Sequence, residues 1–355
     1  MSAALTIEML PARHGDALLV SYGPDLQYRM LIDAGPAAAW DEVRDLLAAG
    51  VPLGSRVDGR RVLDLLVITH VDTDHIEGVL KLLHNDPLNA EIGDIWFNDY
   101  AQLMGDNERA GVQGEYLSAL LSGRAWNEAW DRGPVRLFDD DGTPVRKVAG
   151  DANSESFTLL SPTREKARRM GKAWTAHCAK RNLPIGDVEQ VLAALEEDGR
   201  YRDDGSDEVC PLGRDGSIPN GSSIAFLFEV GGRSVLFTGD AHADVLADSI
   251  GRVRAERRVG KLKLDAFKLS HHGSRGNISQ GLLDQVECDT FLVSTNGDIF
   301  GHPDPETIKL IADSAGPGAK KSIWFNYRSE TTSKYETWSN LEVHYGTNGH
   351  ATVQL

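Results

Sequence analysis

The chain has 355 residues, 41% hydrophobic and 25% charged, which is enough to bury a full globular core. No stretch reaches the roughly 18 consecutive apolar residues of a membrane span. With 37 basic residues against 53 acidic ones, the net charge of −16 argues against a protein that coats nucleic acid through bulk charge.

In chain order, residues 5–10 and 17–22 read as short strands around the turn Ala12-Arg13-His14-Gly15-Asp16. A third strand over 28–32 ends at Asp33-Ala34-Gly35-Pro36. Trp40 to Ala49 has helical spacing and stops at Gly50. Leu63 to Ile68 is an apolar strand apart from Asp64, and Thr69-His70-Val71-Asp72-Thr73-Asp74-His75 follows it directly. A helix comes next, with Ile76, Val79, Leu80 and Leu83 on one face.

Two stretches interrupt this alternation. Residues 99–156 are polar and carry Asp139-Asp140-Asp141-Gly142 as a turn. Residues 163–218 hold a helix around Val188–Glu197 and the loop Asp203-Asp204-Gly205-Ser206-Asp207. Both read as insertions within one domain over 1–355, because strand–loop units resume after each. Ser223–Val230, Gly231-Gly232 and Ser234–Thr238 form a hairpin that delivers Gly239-Asp240. Leu264–Leu269 leads into Ser270-His271-His272-Gly273-Ser274, and Phe291–Ser294 into Asn296-Gly297 and Gly301-His302-Pro303. Ile95-Trp96-Phe97-Asn98 is echoed by Ile323-Trp324-Phe325-Asn326, either as matching strands of a duplicated fold or by chance.

The three cysteines, Cys178, Cys210 and Cys288, are too far apart and odd in number for a disulfide framework. They read as buried structural thiols in a reducing compartment. The start, Met1-Ser2-Ala3-Ala4-Leu5, lacks the pattern of a secretory signal, so the sequence reads as cytoplasmic.

The loop between strand and helix carries His70, Asp72, Asp74 and His75 within six residues. Extended backbone turns positions i, i+2 and i+4 to one side, so His70, Asp72 and Asp74 can converge, and His75 at the first helical turn can face the same volume. Imidazole and carboxylate are the ligands divalent first-row metals take in catalytic sites. The plainer alternative is a polar loop in which Asp74 caps the helix.

This run resembles the metallo-β-lactamase signature, with Asp72 where many members have a second histidine, a variant typical of the hydrolase domain of ComEC-type DNA-uptake proteins and their stand-alone relatives. Gly15-Asp16-Ala17, Leu31-Ile32-Asp33-Ala34-Gly35, Asn220-Gly221-Ser222-Ser223, Thr238-Gly239-Asp240, Ser270-His271-His272-Gly273-Ser274 and Gly301-His302-Pro303 continue the resemblance in the family's order. It implies an α/β fold, a four-layer αββα sandwich with the site along one edge, and two divalent metals, Zn²⁺ or Mn²⁺. His70 and Asp72 would hold the first metal, Asp74 and His75 the second, with Asp240 between them and His302 as the last ligand of the second. His271 and His272 would lie beside the metals, one as a ligand or as proton donor to the leaving group. Asp16 and Asp33, acids at predicted strand ends, either orient a ligand histidine from behind or simply form turns, and Asn220, Ser222 and Lys268 would stand behind the ligands or against substrate. The chain departs from the family where many members place a histidine before the hairpin, since Asn220-Gly221-Ser222 stands there. The membrane channel of ComEC proteins has no counterpart in these residues.

Asp72, Asp74 and Asp240 make a hard ligand set, which moves the expectation toward Mn²⁺ and leaves Zn²⁺ open. Bound water with a pKa lowered to about 7 would supply a hydroxide at neutral pH, and paired metals suit a phosphodiester. The leading expectation is therefore a phosphodiesterase or nuclease acting on DNA or RNA. A basic cluster over 164–181 (Arg164, Lys166, Arg168, Arg169, Lys172, Lys180, Arg181) and another of Arg252, Arg254, Arg257, Arg258, Lys261 and Lys263 would track phosphates, or else balance nearby acids on solvated helices. The alternatives are a hydrolase of a small ester, lactone or nucleotide, and a hydrolase subunit active only with protein partners of a multi-gene, phage-defence type of system.

Overall fold

A computed structural model describes residues 4–50, 61–104, 112–137, 146–148, 155–183, 186–198 and 215–355. The strands in chain order are β1 (Ala4–Met9), β2 (Leu18–Gly23), β3 (Tyr28–Ile32), β4 (Arg61–Val67), β5 (Ala90–Trp96), β6 (Arg146–Val148), β7 (Ser156–Ser161) and β8 (Ala225–Val230). They continue with β9 (Arg233–Phe237), β10 (Leu262–Leu264), β11 (Ala266–Lys268), β12 (Val286–Cys288), β13 (Thr290–Val293), β14 (Lys321–Phe325), β15 (Leu341–Tyr345) and β16 (Ala351–Gln354). The helices are α1 (Trp40–Gly50), α2 (Thr73–Asn85), α3 (Tyr100–Met104), α4 (Val112–Leu121), α5 (Arg164–Arg181), α6 (Val188–Asp198), α7 (Ile218–Gly221), α8 (Ala243–Arg257), α9 (Gln280–Leu283), α10 (Pro305–Asp313) and α11 (Glu330–Ser333).

Two mixed sheets form, in the order β16-β1-β2-β3-β4-β5 and β15-β14-β13-β11-β9-β8-β7-β6. Side-chain alternation decides which residues fill the space between them. Leu5, Ile7 and Met9 of β1, Met30 and Ile32 of β3, and Leu65 and Val67 of β4 share one buried cluster with Phe226, Phe228 and Val230 of β8. The opposite faces of the same strands bind helices. Leu31, Leu66 and Ile68 pack with Val43 and Leu47 of α1, with Ile76, Val79 and Leu80 of α2, and with Met170 and Trp174 of α5. Ala225 and Leu227 pack with Leu246 and Ile250 of α8 and with Ile308 and Ile311 of α10. The result is an αββα sandwich.

The stretch 99–156 contributes α3 and α4, and its last part extends the second sheet as β6, paired with β7. The stretch 163–218 contributes α5 and α6. Trp174 fastens α5 to α4: its ring is fully buried, and a Cβ on Gly114 would lie 2.1 Å from it. The expected turn at Asp139–Gly142, the loop at Asp203–Asp207 and Cys210 lie outside the described residues. Cys178 and Cys288 are buried, and burial pushes both thiols up to about 12. Both members of the Ile-Trp-Phe-Asn echo end strands, β5 and β14. Each is followed by a buried asparagine whose side chain ties down a loop: Asn98 bonds Val135, and Asn326 bonds Thr295 and Leu10. No helix among the described residues is long and apolar enough to cross a membrane.

Candidate metal centre

The motif residues meet at one edge of the sandwich, beyond the C-terminal ends of β3 and β4 in one sheet and β9, β11 and β13 in the other. Strands in each of these sets run parallel, so their following loops emerge on the same side. Gly15 lets the turn before β2 close onto this edge. A Cβ there would sit 1.8 Å from the Asp74 carbonyl oxygen.

Three buried imidazoles are oriented in the same way. The Nδ1 of His75 donates to Asp33 Oδ2 at 2.8 Å. The Nδ1 of His272 donates to the Ser294 carbonyl at 2.7 Å. The Nδ1 of His70 lies 2.9 Å from Thr69 Oγ1, whose hydroxyl donates to Asp33 Oδ2 at 2.7 Å. Fixing the proton on Nδ1 leaves each Nε2 with a free lone pair, the tautomer that metal-ligating histidines adopt when an outer acceptor holds them. All three Nε2 atoms are buried with no hydrogen-bond partner among the described residues.

Carboxylates converge on the same atoms. Asp240 Oδ2 lies 3.5 Å from His75 Nε2 and 3.9 Å from His70 Nε2, while its Oδ1 is buried with no hydrogen-bond partner among the described residues. Asp74 Oδ2 lies 3.3 Å from His272 Nε2 and 3.8 Å from His75 Nε2. Asp72 Oδ2 lies 3.4 Å from His70 Nε2. Asp72, not Asp74, is the N-cap residue of α2, and its side chain makes no capping bond, which leaves the carboxylate for the cluster. Two groups, His70–His75–Asp240 and Asp74–His75–His272, have ligand atoms all within 4.8 Å of one another.

Such a set demands positive charge. Burial opposes ionisation of Asp240 and Asp74, yet the neighbouring imidazoles hold both carboxyls below their ordinary range. Burial equally opposes protonation of His75 and His272. The Asp240 and Asp74 carboxylates nonetheless raise His75 well above its usual value, and Asp16 and Asp240 raise His272. A divalent cation satisfies the same demand with oxygen and imidazole donors already in place, so the residues fit a metal.

Behind these groups, Lys268 is fully buried and donates to Asp16 Oδ2 at 2.5 Å and to the Leu269 carbonyl at 3.1 Å. Asp16 Oδ1 in turn faces His272 Nδ1 at 3.4 Å. On the outer side, Asp215 Oδ2 accepts from the side-chain amides of Asn220 and Asn277, both at 2.8 Å, and faces His271 Nδ1 at 3.7 Å. His271 Nδ1 also lies 3.1 Å from Asn277 Oδ1, and its Nε2 points back to Asp240 Oδ2 at 3.8 Å. Burial lowers the pKa of His271, but Asp240 and Asp215 outweigh it and raise the ring to about 9.

His302 is in neither ligand group. Its ring packs edge-on against His271 at 5.1 Å between centroids and stacks on Phe300, and its Nδ1 lies 3.6 Å from Asp304 Oδ2. His272, and not His302, has its ligand atom within 4.8 Å of those of Asp74 and His75, although the sequence leads to the expectation that His302 is the last ligand. Ser222 also turns away, donating to the Pro219 carbonyl at 2.7 Å within the short turn of α7. The next residue, Ser223, enters instead: its Oγ accepts from the Asp240 backbone N–H at 3.0 Å and lies 3.4 Å from His70 Nδ1. Thr69, Ser223, Asp215 and Asn277 were not singled out as site residues from sequence. Thr69 and Ser223 adjoin recognised motifs, whereas nothing in the pattern marks Asp215 or Asn277.

The family model of the metallo-beta-lactamase superfamily matches residues 12–297. A curated relative, ComE operon protein 3 of Bacillus subtilis (strain 168), is 25% identical over 322 residues, which cover 88% of this chain and 31% of that protein. The chain thus spans about a third of that relative's length. Among solved structures, CmlA, a diiron beta-hydroxylase from Streptomyces venezuelae, is 13% identical with a TM-score of 0.43, covering 99% of this chain and 54% of that one. The short form of human tRNase Z is 11% identical with a TM-score of 0.38, covering 98% of both chains. Zn²⁺-bound PqqB from Methylobacterium extorquens is 14% identical with a TM-score of 0.38, covering 97% of this chain and 89% of that one.

Proposed function

The chain belongs to the metallo-β-lactamase superfamily, and on that premise we propose that it is a two-metal hydrolase of phosphodiesters, working in the cytoplasm. One observation carries the reading: the Nε2 atoms of His70, His75 and His272 are buried with no hydrogen-bond partner among the described residues, and His75 joins two groups, one with His70 and Asp240 and one with Asp74 and His272, whose ligand atoms lie within 4.8 Å of one another. Leaving such groups unpaired costs a folded protein roughly 1–3 kcal/mol each, so their convergence marks a binding site.

His70, Asp72 and Asp240 would hold one ion, and Asp74, His75 and His272 the other, with Asp240 in reach of both. Two divalent ions there supply Lewis acidity, acidifying water and polarising a phosphoryl oxygen. The three carboxylates favour Mn²⁺ over Zn²⁺, because oxygen donors suit the harder ion. The protein's own groups do the rest. Asp33 and the Ser294 carbonyl keep His75 and His272 in the ligand tautomer. Asp215 and Asn277 aim His271 Nε2 at the centre, where it can hand a proton to the departing alkoxide.

The test is a turnover panel with protein stripped by chelator and reloaded with Mn²⁺ or Zn²⁺. Bis(p-nitrophenyl) phosphate, cyclic nucleotides, a simple carboxylic ester and a lactone are offered in parallel. The expected result is diester hydrolysis restored by metal, strongest with Mn²⁺. Hydrolysis of the ester or lactone with none of the diesters would replace the substrate class.

A further inference from the structure

Sequence alone gives the two basic clusters equal standing, but their surroundings differ. In 252–263 four of the six basic side chains have partners, while Arg258 and Lys261 are exposed. Arg257 forms a two-point pair with Glu229 at 2.7 Å, Arg252 pairs with Asp248 at 2.9 Å, Lys263 faces Glu287 at 3.6 Å, and Arg254 donates to Gln285. On α5, Arg168, Arg169, Lys172 and Lys180 are exposed and make no ion pair among the described residues. The opposite face of α5 is locked to the core through Ala167, Met170, Trp174 and Cys178, which fixes the basic face outward.

The helix also starts at the candidate centre. Lys166 Nζ lies 2.7 Å from His242 Nδ1, and His242 Nε2 lies 3.7 Å from the Asp215 carboxylate that faces His271. Lys166, Arg169 and Lys172 follow one another at i, i+3 and i+6, a single row along the helix. From Lys166 to Lys180 the helix rises about 21 Å at 1.5 Å per residue. A strand in stacked helical form rises about 3.4 Å per phosphate, so that length spans about six of its phosphates.

We infer that the exposed basic face of α5 is a track for a polynucleotide backbone, leading one strand into the site. The inference rests on the phosphodiesterase reading and narrows it: the substrate carries many consecutive phosphates, and α5, from one of the two inserted stretches, selects for them. A small ester or lone nucleotide would reach the centre without touching Arg168, Arg169 or Lys172.

The experiment compares wild type with the triple variant Arg168→Gln, Arg169→Gln, Lys172→Gln. A control variant, Arg258→Gln, Lys261→Gln, Lys263→Gln, has the same change of net charge. Binding of a fluorescent 20-nucleotide single strand is followed by anisotropy in EDTA across a KCl series, and bis(p-nitrophenyl) phosphate turnover is measured separately with metal. The α5 variant should bind at least about 10-fold more weakly at low salt, with a log–log salt slope shallower by about 2, from three charges at about 0.7 each. Its small-diester turnover should equal wild type, and the control should bind like wild type. Equal Kd and slope in wild type and the α5 variant, equal weakening in the control, or no strand binding by wild type would each overturn the track. A failed phosphodiesterase reading looks different: no protein turns over the small diester, whatever the binding series shows.

Discussion

Asp240→Ala should lose essentially all turnover, about 10³-fold or more, and should retain less than one ion per chain after desalting. The size follows from position. Asp240 is buried, its Oδ2 stands 3.5–3.9 Å from the Nε2 atoms of His75, His271 and His70, and its Oδ1 has no hydrogen-bond partner among the described residues. Among the described residues no other carboxylate lies within 4 Å of both His70 and His75 Nε2, so alanine removes the anion between these two lone pairs and leaves only Asp72, beside His70, and Asp74, beside His75. A thousand-fold change corresponds to about 4 kcal/mol, a modest demand on one shared anionic ligand. His242, two residues on, is the internal control. Its ring is engaged by Lys166 Nζ at 2.7 Å and the Ser217 carbonyl at 3.0 Å, and it borders Asp215 at 3.7 Å without entering either ligand group. Near-normal turnover in Asp240→Ala with loss in His242→Ala would show the ligand assignment to be wrong. Both variants are scored by elemental analysis beside kcat.

The second large effect separates three histidines. His272 is fully buried, held through Nδ1, with Nε2 aimed at Asp74, so His272→Ala should shed metal and activity together. His302 lies outside both ligand groups, so His302→Ala should keep both ions through desalting. His271 faces the centre from the outer side, braced by Asp215 and Asn277. His271→Ala should therefore keep its metal and lose kcat by about 10²- to 10⁴-fold, the range for a missing general acid. Metal stoichiometry and kcat for the three variants decide the matter. Loss of metal from His302→Ala with retention in His272→Ala would return the ligand role to His302.

The Thr69–His75 run was legible because everything that defines it is local: an apolar strand before, a helical stripe after, and four candidate ligands between. The layers followed from strand alternation in the same way. What sequence could not supply was the direction of side chains on irregular backbone. His271 and His272 both stand at positive φ, 48° and 52°, and this turn sends one ring outward and the other into the core. A spacing rule that treats them as neighbours cannot separate them from His302. The exchange of Ser222 for Ser223 has a similar cause, since one turn of α7 bends Ser222 back onto Pro219. Asp215 reaches His271 across 56 residues of chain, and only the fold joins them. The basic clusters carry the same lesson. Asp248 and Arg252 are an i,i+4 pair visible in sequence, but Glu229 meets Arg257 only after β8 and α8 have packed.

The measurement closest to the central claim is the metal content of the wild-type protein, stripped and then reconstituted separately with Mn²⁺ and Zn²⁺, desalted and analysed by mass spectrometry. The account predicts about two ions per chain, with hydrolysis of bis(p-nitrophenyl) phosphate returning in step with loading. Folded protein that retains no ion from either metal would contradict it.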